Sequence, residues 1–136
     1  MIKDSRKSIY KKIVEFTDLV VWQEGHKLVI LIYQITSKFP KAELYSLIDQ
    51  MRRAATSITS NIAEGFGRQT YKEKVYFYYL AQGSLTELKN QIYIAKDIRY
   101  LNTAEYQQLI NQINIAHQLL QGLIRKSKSF IAIHKS

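Results

Sequence analysis

Pro40 is the only proline in this chain of 136 residues, and just five glycines accompany it, so the backbone has few places to turn. Tight turns draw heavily on those two residue types, and their scarcity favours a few long helices over a sheet. The apolar residues agree. Trp22, His26, Val29, Tyr33 and Thr36 recur every three or four residues between about Leu19 and Phe39, with Leu28, Ile32, Ile35 and Phe39 on the flank, a wide face of helical period. Asp18 is placed to cap this helix and Pro40 to stop it. A second stripe, Leu44, Leu47, Met51, Ala54, Ala55, Ile58 and Ile62, spans about Glu43 to Glu64 and ends at Gly65-Phe66-Gly67. A third, Tyr78, Ala81, Leu85, Leu88, Ile92 and Ala95, lies between about Thr70 and Tyr100. In the fourth segment Asn102 and Glu105 have the spacing of a capping box, and Tyr106, Ile110, Ile113, His117, Leu120 and Ile124 follow in bundle rhythm. Four helices with three short connections make antiparallel neighbours, so the expected fold is all-α, an up-down-up-down four-helix bundle. It occupies residues 16–125, between a basic extension over 1–15 and a basic tail over 126–136.

The formal charge is +9 and it is unevenly spread. Lys3, Arg6, Lys7, Lys11 and Lys12 face only Asp4 in residues 1–12, and Arg125, Lys126, Lys128 and Lys135 face no acid in residues 125–136, so each end carries +4. The body between is nearly neutral. In an antiparallel bundle the start of the first helix, the second connection and the end of the fourth helix share one pole. Arg68, Lys72 and Lys74 on and after that connection join the two termini there, which collects 12 of the 20 cations. Such a pole attracts polyanions such as RNA, DNA or anionic lipid, although charged termini also serve simple solubility. Tyr10 and Phe130 are placed to stack on bases or to pack on the bundle.

Several chemistries find no support. The chain has no cysteine, hence no disulfide, thiolate metal site or cysteine nucleophile. Bundle di-metal centres use Glu-x-x-His pairs, and no glutamate here has a histidine three residues on. His26 and His117 fall at one level of an idealised bundle, but without a carboxylate they are a poor metal site. No phosphate-loop, dinucleotide, zinc-protease or nucleophile-elbow motif occurs, so neither catalysis nor a cofactor is expected. The longest apolar run, Leu28-Val29-Ile30-Leu31-Ile32, is far too short to cross a membrane, and no apolar stretch follows the charged amino terminus. The expected location is the cytoplasm.

A second, polar stripe runs off the core face of the second helix: Gln50, Arg53, Ser57, Asn61 and Glu64. Gly83, Ser84, Glu87 and Gln91 run similarly on the third. It reads either as solvated surface or as a contact between subunits, where short residues permit close approach and Arg53 would pair with Glu64 or Glu87. Tyr71, Tyr76, Tyr78 and Tyr79 span the circumference of one helix, so some must be surface anchors or stacking platforms.

The words themselves are familiar. Phe16-x-Asp18-Leu19-x-Val21-Trp22-Gln23 is followed by Tyr33, Phe39-Pro40 and Glu43. Then come Gln50-x-x-Arg53-Ala54-x-x-Ser57-Ile58, Asn61-Ile62-Ala63-Glu64-Gly65-Phe66-Gly67-Arg68 and Phe77-x-x-x-Ala81-x-Gly83-Ser84-x-x-Glu87-Leu88. Over roughly residues 16–125 the chain resembles the bacterial four-helix-bundle family encoded within intervening sequences of 23S ribosomal RNA genes, also called the S23 ribosomal protein family. That family is similar in turn to the accessory variability protein of diversity-generating retroelements. The resemblance implies an antiparallel bundle, assembly into ring-like homopentamers and association with nucleic acid. The expected function is non-enzymatic binding of RNA by a self-associating bundle through its basic pole. The alternative is a protein-binding adaptor in a mobile-element complex with a reverse transcriptase, where nucleic-acid contact is secondary.

Overall fold

A computed structural model describes residues 12–134. Lys3, Arg6, Lys7 and Lys11, with Tyr10 and Lys135, lie outside them. Four long helices follow in order: α1 (Val20–Thr36), α2 (Leu47–Phe66), α3 (Tyr71–Asp97) and α4 (Thr103–His134), with short 3-10 turns at Phe16–Asp18 and Lys41–Glu43. Among the described residues there is no strand. Each helix packs on its neighbours in sequence, and α4 closes the ring against α1, while the diagonal pairs do not meet. This is the expected four-helix bundle.

One core runs the length of the bundle. Leu28 and Ile32 of α1, Met51, Ile58 and Ile62 of α2, Leu85, Leu88 and Ile92 of α3, and Leu109, Ile113 and Leu120 of α4 are all fully buried. Each such side chain contributes about 1.5–3 kcal/mol by leaving water. The expected α3 stripe is buried throughout. The α1 stripe is met in part: Val29 and Thr36 are buried together with the expected flank, Leu28, Ile32, Ile35 and Phe39, whereas Tyr33 and His26 are exposed. Aliphatic side chains bury without unmet hydrogen bonds, so they take the interior of a helix that is apolar almost all round, and the polar-tipped rings take the rim.

Helix ends are closed by specific contacts. Thr70 Oγ1 accepts from the Glu73 amide at 3.1 Å. Asn102 and Glu105 exchange two backbone-to-side-chain bonds at 2.7 and 3.0 Å, the expected capping box. Asp18 does not cap α1: its carboxylate turns back to accept from the amides of Val14 and Glu15, and Leu19 precedes the helix. The second helix starts later than Glu43, because Glu43 Oε2 accepts from the Ser46 hydroxyl (2.8 Å) and the Leu47 amide (3.4 Å) ahead of the first turn. At the end of α3, Arg99 takes a left-handed conformation (φ 65°), with Tyr100 N donating to Ala95 O and Arg99 N to Lys96 O, a Schellman closure.

One boundary moves. Residues 126–134 are not a tail; they continue α4, with Ser127 buried and Phe130 packed on Tyr71 at 4.8 Å between ring centroids. The Gly65-Phe66-Gly67 run does end α2, with Phe66 its last residue and Gly67 its cap, while Gly65 itself is still helical. A Cβ there would sit 2.7 Å from the Tyr78 ring and 3.1 Å from Lys74 O, so glycine is needed for α3 to approach.

Candidate nucleic-acid interface at one end of the bundle

The beginning of the described chain, the α2–α3 connection and the last turns of α4 meet at one end. A cavity of about 270 Å³ there is lined by residues from all three, including Ile13, Leu19, Phe66, Lys74, Lys126 and Phe130. Lys12, Arg68, Lys72, Lys74, Arg125, Lys126 and Lys128 are the described members of the expected basic pole, and the bundle brings them to this end.

They are not equivalent. The Lys74 ammonium donates to Phe66 O at 2.6 Å and lies 5.4 Å from the Phe66 ring, so it closes the C-terminus of α2 where the helix dipole favours a cation. Partial burial lowers its pKa. Arg68 lies over the Phe77 ring at 4.5 Å and pairs with Glu64 at 3.4 Å. Lys128 donates to the Tyr79 hydroxyl at 3.1 Å. Lys72, Arg125 and Lys126 are exposed or groove-lining and engage no acid among the described residues. Lys74 is thus a structural cation, Arg68 and Lys128 are partly engaged, and Lys72, Arg125 and Lys126 are open to an anion.

The aromatic residues divide the same way. Tyr78 is buried, and that burial, helped by Tyr71, pushes its phenol up to about 12, so it stays neutral at physiological pH. Tyr76 is 61% and Tyr79 45% exposed on the same helix. Phe130 is taken up by Tyr71 and serves packing.

The polar stripe forms one seam on the α2–α3 side. Ser57 and Ser84 share a hydrogen bond of 2.8 Å, and Asn61 donates to Ser57 O and Oγ at 2.9 and 3.1 Å. Their shortness therefore serves the approach of two helices within the chain. Within the chain Arg53 lies on Asp49 at 3.0 Å, while Glu64 takes Arg68 and Glu87 takes the Gln91 amide at 3.3 Å. An i,i+4 carboxylate on the same helix is nearer than one across the seam. Gln50 is exposed and Gly83 has open space beside it. Gln91, expected in the polar stripe, is instead buried, with its Oε1 lacking a partner among the described residues.

The two histidines do not share a level. Gln112 Nε2 donates to Glu24 O and Oε1 at 2.8 and 3.1 Å, which fixes the α1–α4 register, and the hydrogen bond from Lys27, then that from Gln112, lowers the Glu24 pKa. In that register His26 stands opposite Ile110 and His117 opposite Leu19, about 10 Å of helix apart. His26 stacks on Trp22 at 4.8 Å. Among the described residues no group of three potential metal ligands occurs, and no helix is long and apolar enough to cross a membrane.

Residues 17–122 match the model of a family described as 23S rRNA-intervening sequence protein. A crystal structure of a protein of unknown function from the S23 ribosomal protein family of Bacteroides thetaiotaomicron superposes with a TM-score of 0.70 at 19% sequence identity, covering 77% of this chain and 98% of that one. At that identity the likeness speaks for the fold. No curated protein matches the sequence.

Proposed function

The chain belongs to the 23S rRNA-intervening sequence protein family, and on that premise we propose that it is a non-enzymatic bundle that binds RNA through its basic end and assembles with copies of itself, as a pentamer. The observation that carries the reading is the uncommitted charge: Lys72, Arg125 and Lys126 stand at one end of the bundle without an acidic partner among the described residues. Cations used for stability are paired or cap helices, as Lys74 does. Cations left open suit phosphates, which fix position without reading sequence. The α2–α3 seam, from Gln50 and Arg53 to Gly83 and Glu87, is the surface proposed for self-association. A ring of such subunits would present its weak basic ends together, and effective concentration would multiply their affinity.

Fluorescence anisotropy with a labelled single-stranded RNA across a salt series tests the reading. Neutralising roughly six phosphates gives a log–log slope near −4. Absence of saturable binding, or binding indifferent to salt, overturns it.

A further inference from the structure

Beyond the open charge at the pole, the α3–α4 side carries a groove of about 400 Å³ lined by Tyr79, Gln82, Gln121, Ile124, Arg125 and Lys128. Its volume falls within the range of small-ligand sites. No carboxylate lines it. The guanidinium of Arg125 and the side-chain amides of Gln82 and Gln121 have no hydrogen-bond partner within the described chain. Ile124, 6% exposed, supplies an apolar floor.

The position of Lys128 matters most. Its ammonium is 3.1 Å from the Tyr79 hydroxyl but 5.7 Å from the ring centroid. Those two distances place it beyond the hydroxyl, near the long axis of the ring, rather than over a face. The bond therefore orients Tyr79 without covering its π-surface, and the ammonium keeps two donors in hand.

We propose that this groove seats one nucleotide of a single-stranded polynucleotide, with the base stacked on Tyr79 and the adjoining phosphate between Arg125 and Lys128. The inference rests on the nucleic-acid reading above and gives it a defined seat on the α3–α4 side of the basic end. An oriented aromatic ring beside a planar guanidinium is the combination that single strands use, since every base has a π-face and every linkage a charge. The two glutamine amides offer both donors and acceptors to a base edge, so they tolerate several bases. A duplex, whose bases are already stacked on one another, cannot present a face to Tyr79.

The test is anisotropy with a labelled 12-nucleotide oligoadenylate, as RNA and as DNA, with inorganic polyphosphate as competitor. Tyr79→Leu is expected to weaken binding about tenfold without changing the salt slope, while Tyr79→Phe stays within about twofold. Arg125→Gln is expected to flatten the slope by about 0.7. The same Tyr79 dependence with RNA and DNA supports the site and shows that it does not sense the 2′-hydroxyl; dependence with RNA alone supports it and assigns the ligand to RNA. If the unaltered protein binds and Tyr79→Leu binds equally well, or polyphosphate displaces the oligonucleotide equally from both, the groove proposal fails and the charge reading survives. If the unaltered protein does not bind, both fail. Tyr79 is half exposed, so circular dichroism of each variant should match the unaltered protein.

Discussion

The two ends of the bundle carry similar residue types and use them differently. At the end where α1 meets α2 and α3 meets α4, cations are largely consumed by the chain. Arg52 donates to Thr36 Oγ1 and Tyr33 O at 3.0 and 3.4 Å and lies 4.6 Å over the Tyr33 ring, closing the C-terminus of α1. Lys38 pairs with Glu105 at 3.7 Å, and Lys96 stacks on Tyr106 at 4.4 Å. Tyr100 packs on Phe39 and reaches Glu43 at 3.4 Å. At the opposite end Lys74 is used in that manner, Arg68 lies on Glu64 and the Phe77 ring, and Lys128 on the Tyr79 hydroxyl, while Lys72, Arg125 and Lys126 engage no acid among the described residues. Counting charges does not distinguish a closed end from a binding end; asking what each charge already touches does.

The contrast is broken or upheld most directly by removing charge from each end in turn. Changing Lys72, Arg125 and Lys126 to glutamine together should weaken RNA binding roughly tenfold or more and flatten the salt slope by about 2. Changing Lys38, Lys41 and Lys96 to glutamine removes the same net charge from the closed end and should leave the slope nearly unaltered. Equal losses in anisotropy would mean that net charge alone governs binding.

Which parts of this were legible in the sequence follows from the physics. The α3 stripe from Tyr78 to Ala95 could be read because from Gln82 to Gln91 the residues off it are polar or small, although Tyr79, Leu80, Tyr93 and Ile94 at either end are exposed apolar side chains. The α1 face could not be oriented, because Trp22, His26 and Tyr33 compete with Leu28, Ile32 and Ile35 around an almost continuous apolar circumference. The basic pole could be inferred from connectivity alone, since antiparallel helices force the termini together. What each cation touches could not: Lys74 reaches back eight residues to a backbone carbonyl, and Lys128 meets Tyr79 only once α3 and α4 are neighbours. The carboxy-terminal boundary is hidden because Lys126 and Lys128 look like tail residues, although Ser127 and Phe130 between and after them keep the helix packed.

Next in size is a pair of identical substitutions with opposite signs. Gly65→Ala forces a methyl against the buried Tyr78 ring and the Lys74 carbonyl at the open end, so urea unfolding should show a loss of about 2 kcal/mol. Gly83→Ala meets no atom within 4 Å in the described chain and adds a better helix former, so the folded chain should gain about 1 kcal/mol. If Gly83 lies in a contact between copies, light scattering will show the same alanine weakening assembly while the chain itself grows more stable. A tolerated Gly65→Ala would mean that α2 and α3 separate easily there, leaving the open charges without a firm base.

The smallest effect is expected at the closed end. Arg99 holds φ at 65°, a conformation in which a Cβ crowds the following carbonyl and costs an L-residue about 1–2 kcal/mol. The conformation persists because Tyr100 N and Arg99 N must reach the last carbonyls of α3, and because Tyr100 is anchored on Phe39 and Glu43. The Arg99 side chain is exposed and takes no part in those bonds. Arg99→Gly therefore removes the crowding and keeps the closure. Part of the gain is returned through the greater freedom of glycine in the unfolded chain, which leaves a net stabilisation of about 0.5–1 kcal/mol. Urea unfolding should show a raised midpoint with an unchanged slope, and RNA affinity should stay where it was, since the charge lost is remote from the open end. A lowered midpoint would mean that the arginine side chain itself holds the α3–α4 turn, and the closed end would then depend on charge after all.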